Sequence, residues 1–126
     1  MVVDASAAVS ALLHDGNARL QLVGNQLAAP HLIDAEVLQT LHKLLHRGVL
    51  SPRDAERAIQ RWTRLGVDRY PTTGLSNRIW SLRDNISAYD ASYVALAEAL
   101  NCSLLTADSR LSAAPGPTCS ITVVPS

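Results

Sequence analysis

Four acidic residues stand where they could act together. Asp4 directly follows the run Met1-Val2-Val3, and Asp108 comes two residues after Ser103-Leu104-Leu105-Thr106. Asp90 falls in the first turn of an amphipathic segment, 87–100, and shares a face with Tyr93, Val94 and Ala97 at spacings of three, four and seven. Glu36 lies early in another helical segment, with Leu32, Ile33 and Thr40 three and four residues away. Two ionised carboxylates about 4 Å apart repel by several kcal/mol at an effective dielectric near 20. A group of them stays ionised only beside a cation, and ligands that are all oxygen suit Mg²⁺ or Mn²⁺. Such a cation can lower the pKa of a bound water, polarise a phosphoryl oxygen and stabilise the leaving oxygen of a phosphate ester. Each acid also has a purely structural reading. Asp4 and Asp108 suit helix N-caps, Ser87-x-x-Asp90 is close to a capping box, and Glu36 favours the positive end of its helix.

The sequence offers no rival nucleophile. It has no G-x-S-x-G elbow and no phosphate-cradling G-x-x-x-x-G-K-[ST] or G-x-G-x-x-G loop. Asp4-Ala5-Ser6 lacks the second Asp that an aspartyl-phosphate-forming phosphatase would carry two residues on. Cys102 and Cys119 are neither a C-x-x-C pair nor a disulfide framework, and are expected as small reduced core residues.

The elements that must position the acids alternate. Met1–Val3 reads as a buried strand, followed by a helix to Leu13 and, after Gly16, another to about Gln26. Leu27–Ala29 is a second strand, and a helix from about Leu32 to Arg47 is closed by Gly48. Ser51-Pro52-Arg53-Asp54 is a strong helix start, with the helix ending by Gly66. Val67–Tyr70 reads as a strand, 75–84 and 87–100 as helices, and 103–106 and 121–124 as strands. Strands separated by helices predict an α/β fold: one domain over 1–126, with a central, mostly parallel sheet flanked by helices. Ligands bind such sheets outside the carboxyl ends of the strands, which is where the acids fall.

Composition fits one globular domain. The chain has 126 residues, 48% of them hydrophobic and 17% charged, which excludes an intrinsically disordered chain. No apolar run approaches the roughly 20 residues of a membrane span, and no signal-peptide pattern opens the chain, so a cytoplasmic protein is expected. The net charge of zero conceals a split. Residues 42–83 carry nine Lys and Arg against three Asp and Glu, whereas the rest carries two against eight. A basic middle beside acidic flanks suits a molecule that attracts a polyanion on one side and cations on another.

Together the motifs resemble the PIN-domain family, and more narrowly the VapC-type toxins of type II toxin–antitoxin pairs. The resemblance rests on Val2-Val3-Asp4-Ala5-Ser6, on Glu36 following Pro30, on the string from Ala88 to Ala97 that begins Ala-Tyr-Asp-Ala-Ser-Tyr, and on Leu104-Leu105-Thr106-Ala107-Asp108. These pieces occur in order over nearly the whole chain, and all four acids of the pattern are present. The resemblance implies a PIN-like domain and a Mg²⁺- or Mn²⁺-dependent endoribonuclease that uses a metal-activated water and leaves a 5′-phosphate and a 3′-hydroxyl. It implies that Asp4, Glu36, Asp90 and Asp108 form the metal site, and that Ser6 and Thr106 are hydroxyls orienting the acids or their waters. It further implies a homodimer, possible hetero-oligomers with a cognate VapB-type antitoxin, and an antitoxin whose basic side chain enters the acidic pocket.

Other residues are candidates for contacts with RNA or metal. Arg57, Arg61 and Arg64 share one helix face and, with Arg83, are candidates for phosphate contacts; Trp62 and Trp80 could stack on unpaired bases. His42 and His46, four apart, could begin a zinc site, but the sequence places no third ligand near them. Two other functions remain open on this scaffold: a DNA-directed metal nuclease, and a non-catalytic binding module that keeps the acids as caps.

Overall fold

The computed structural model describes all 126 residues. Its centre is the two-residue strand β1 (Val2–Val3), whose β-branched side chains are fully buried. β2 (Leu27–Pro30) and β4 (Leu104–Thr106) flank β1 in parallel, with β3 (Val67–Tyr70) outside β2 and β5 (Ile121–Val123) outside β4. All five strands are parallel in the order β3-β2-β1-β4-β5. The chain therefore builds outward from β1 on one side and then returns to add β4 on the other. That reversal creates a switch point at the carboxyl ends of β1 and β4, where the connections part and leave a crevice.

The inner strands are buried on both faces because helices cover the sheet. α1 (Ala5–Leu13) packs against α2 (Asn17–Leu22), α3 (Ile33–His46) and α4 (Pro52–Arg64). α6 (Ala88–Ala99) packs on β1, β2 and β4, through Ala91, Tyr93, Val94 and Ala97, each no more than 1% exposed. Both starts read from sequence form as expected. The Ser51 hydroxyl accepts from the Asp54 amide, with Pro52 at the first helical position, and Ser87 does the same for Asp90, each at 3.1 Å. No helix is long and apolar enough to cross a membrane.

Three boundaries differ from the sequence reading. α2 stops at Leu22 rather than near Gln26, because Val23 turns extended and Gly24 takes a left-handed φ of 79°. The expected helix over 75–84 divides into a 3₁₀ turn, Thr73–Leu75, and the short α5 (Ser76–Ser81). The helix start that Asp108 suits as a cap opens a short helix, α7 (Ser109–Ala113), to which the sequence reading gave no extent; five residues are too few to show an amphipathic period.

A candidate metal centre at the switch point

Each acid reaches the same end of the sheet by its own route. Asp4 follows β1 and Asp108 follows β4, so neighbouring parallel strands deliver them side by side. Crossover helices run back against the strand direction, which puts the first turns of α3 and α6 over the strand carboxyl ends. Those turns carry Glu36 and Asp90. All four line one open cleft of about 260 Å³, together with Ser6, Tyr93, Gln39, Thr40 and Lys43. A larger cavity, about 360 Å³, lies beside Glu98, Cys102 and Cys119 and contains none of the four. Both cysteines are free there, half-buried rather than in the core.

Asp4 is the most buried of the acids, at 5% exposure, and is held from three sides. Its Oδ1 accepts from the Ala7 amide at 2.9 Å and from the Ser6 hydroxyl at 2.7 Å. Its Oδ2 accepts from the Thr106 hydroxyl at 2.5 Å. Ser6 and Thr106 lie 3.2 Å apart; Ser6 also accepts from the Ala107 amide and Thr106 from the Asp108 amide. Thus Asp4 is an N-cap of α1 and a cleft residue at once: its capping bond uses one oxygen edge and leaves lone pairs elsewhere. Asp108 likewise caps α7, accepting from the Arg110 amide at 3.0 Å.

The electrostatics sort the acids into two groups. Burial pushes Asp4 above the ordinary carboxylate range, its hydrogen bonds only partly offset this, and the charge of Asp90 adds to it. Burial also raises Glu36, with the charges of Asp90 and Asp4 adding to the rise and the Tyr93 hydrogen bond opposing it. Asp90 is raised by burial and then by the charge of Asp108. Asp108 alone is lowered, because Arg110 grips both its oxygens at 3.1 Å. Three crowded acids resisting ionisation, in mutual repulsion, make a place that attracts positive charge.

Some expected residues are brought together and others are not. Ser6 and Thr106 both touch Asp4. Arg57, Arg61, Arg64 and Arg83 do not line the cleft. Arg61 instead donates to the Leu12 carbonyl at the end of α1, and Arg83 lies over the Trp80 ring, 4.9 Å from its centroid. Trp62 is 3% exposed and its indole N–H donates to Asp34 at 2.8 Å, which removes it as a stacking platform; Trp80 is exposed. The rings of His42 and His46 are 6.2 Å apart, and no group of three His, Cys, Asp or Glu forms around them.

Three residues in or beside the cleft escaped the sequence reading. The Tyr93 hydroxyl donates to Glu36 at 2.5 Å, and burial, then Glu36 itself, keeps that hydroxyl protonated far beyond the ordinary phenol range. Its place three residues after Asp90 marked the face but not the partner. Lys43, two turns beyond Glu36 on α3, was counted only within the basic segment. Arg110, two residues after Asp108, is the third.

Residues 1–117 match the PIN-domain family profile. The chain belongs to the PIN-domain family. This PIN domain is 57% identical to ribonuclease VapC9 of Mycobacterium tuberculosis over 125 residues, 99% of this chain and 98% of the relative. It is 44% identical to ribonuclease VapC1 of the same species over 128 residues, covering 98% and 96%. Among solved structures, the PIN domain overlays VapBC2 from Rickettsia felis, bound to a DNA fragment from their promoter, with a TM-score of 0.67 at 14% identity, covering 98% and 97%. At that identity the overlay speaks for the fold, and the two relatives place this PIN domain among the VapC ribonucleases.

Proposed function

We propose that this PIN domain is a Mg²⁺- or Mn²⁺-dependent endoribonuclease and the toxin of a toxin–antitoxin pair. The observation that carries the reading is the meeting of Asp4, Glu36, Asp90 and Asp108 in one cleft, three of them raised by burial and by one another. The naming of relatives 57% and 44% identical as ribonucleases supports RNA as the substrate. The VapBC2 neighbour supports an antitoxin partner; a homodimer and a cytoplasmic setting belong to the same reading.

The donor set fits a hard divalent cation, being all carboxylate and hydroxyl oxygen. As the side chains stand, no three acids are grouped tightly enough to hold an ion. Arg110 already holds Asp108, and the charge of Asp108 adds to the resistance of Asp90 to ionisation. When bound, the cation supplies the charge that lets all four ionise, polarises the phosphodiester and makes a water acidic enough to attack. Asp4, fixed by Ser6, Thr106 and the Ala7 amide, holds one carboxylate edge in constant orientation. Tyr93 does the same for Glu36, and Lys43 is the one cleft cation unpaired with an acid, free to meet a substrate phosphate. In this reading a basic side chain of the antitoxin would meet the cleft acids much as Arg110 meets Asp108.

Tyr93→Phe keeps the buried ring and removes only the hydroxyl, so Glu36 loses its orienting donor and rises further. Calorimetric titration with Mn²⁺ is expected to show affinity weakened about tenfold, the usual scale for losing a partner behind a metal ligand. Unchanged affinity would remove Glu36 from the site. The overall reading is tested with matched RNA and DNA strands, with and without Mg²⁺ or Mn²⁺. Cleavage of RNA only with the cation, leaving 5′-phosphate ends, is expected. Equal cutting of DNA, or cutting in EDTA, overturns it.

A further inference from the structure

A second, shallower depression of about 200 Å³ adjoins the acidic cleft, lined by Gln39, His42, Lys43, His46 and Arg47. The two depressions share Gln39 and Lys43 in their walls, so they adjoin along α3. Glu36, Gln39, Lys43 and Arg47 recur at steps of three and four, which makes one stripe of the helix surface. From Glu36 to Arg47 that stripe climbs about 16 Å.

Its charge changes along the way. The cleft end is acidic, and the far end carries Lys43 and Arg47, both exposed and in no ion pair. Four other cations are already engaged: Arg19, Arg69, Arg78 and Arg110 each pair with a carboxylate. The unpaired arginines of α4 do not border the cleft. A chain of phosphates approaching four carboxylates is repelled, and adjacent free cations are what would draw it in.

We propose that the face of α3 bearing Gln39, Lys43, His46 and Arg47 seats the RNA backbone next to the cleavage site. The proposal rests on the nuclease reading and names where its substrate lies, in place of the α4 arginines expected from sequence. A purely structural role also exists for these residues, since cations favour the negative end of a helix, and the test separates the two.

The probe is a labelled oligouridine, followed by fluorescence anisotropy in EDTA so that nothing is cut, over a series of salt concentrations. Wild type is compared with Lys43→Ala/Arg47→Ala and with Arg57→Ala/Arg61→Ala/Arg64→Ala. The α3 pair is expected to lose about tenfold in affinity, and its log affinity against log salt to flatten by about 1.4, the loss of two phosphate contacts on a single strand. The α4 triple variant is expected to bind as wild type does. An α3 variant that binds oligouridine normally overturns the proposal. So does one that melts earlier yet binds normally, or one that loses only its grip on an acidic polypeptide such as polyglutamate. Wild type that cuts RNA with Mn²⁺ while the α3 variant binds unimpaired sinks this seat alone; wild type that neither binds nor cuts RNA sinks the nuclease reading as well.

Discussion

Asp4→Asn is expected to abolish RNA cleavage, by at least about a thousandfold, while the protein stays folded. A thousandfold is about 4 kcal/mol of lost transition-state stabilisation, within what one charge at a cation-holding site supplies. The fold survives for three reasons. Asparagine has the same shape, and its side-chain oxygen can still accept from Ala7 and Ser6. Its amide meets the Thr106 hydroxyl, which can turn to accept because Ser6 offers an alternative partner at 3.2 Å. The substitution also removes a buried charge that the fold resists, as the raised Asp4 shows. Gel assays of cleavage with thermal melting check both halves. An active Asn variant would leave Asp4 a helix cap and nothing more.

The second large effect is on stability. Without divalent cation, the protein is expected to lose stability as pH rises above the ordinary carboxylate range toward neutrality. Asp4, Glu36 and Asp90 are raised in the folded state, so the folded chain holds protons that the unfolded chain has released. Their contribution is present below the unfolded carboxylate range and is lost as pH climbs through the folded values. Asp34, Asp108 and Glu98 act the other way. Arg69 lowers Asp34, Arg110 lowers Asp108, and Arg78 lowers Glu98 to about 2. Their contribution is present above the ordinary range and fades on acidification, for Glu98 over the interval down to about 2. Adding Mn²⁺ at neutral pH neutralises the first set. At a hundredfold excess over Kd, mass action adds about 2.7 kcal/mol, or roughly 8 °C in Tm for a chain of this size. The shift is expected to vanish at pH 4 and in Asp4→Asn/Asp90→Asn. Scanning fluorimetry over pH and Mn²⁺ reads all of this. A Tm indifferent to millimolar Mn²⁺ at neutral pH removes the cation site.

Much of the framework was legible because it is local. Val2-Val3 and Leu104-Leu105 are short apolar runs that only a buried strand accommodates, and Ser51-Pro52 and Ser87 announce helix starts by their own chemistry. Acids that closely follow strands fall at the carboxyl ends whatever the strand order, so Asp4 and Asp108 were recognisable as candidate site residues before the order was known. What stayed hidden depends on contacts between distant parts of the chain. Tyr93 meets Glu36 across 57 residues, and no periodicity along α6 encodes that. The α4 arginines share a face, but which way that face looks follows from packing on α1 and α3. Trp62, too, is buried in the core and bonded to Asp34 beneath Arg69, partners 28 and 7 residues away in sequence.

The bond between Thr106 and Asp4 joins residues 102 apart. On the ribosome, Asp4 emerges about a hundred residues ahead of Asp108. Until β4 slides in beside β1, Asp4 has neither its second hydroxyl nor its neighbouring acids in place. A polypeptide made only as far as α6 therefore carries no assembled cleft, and the chemistry proposed for that cleft waits on the synthesis of β4.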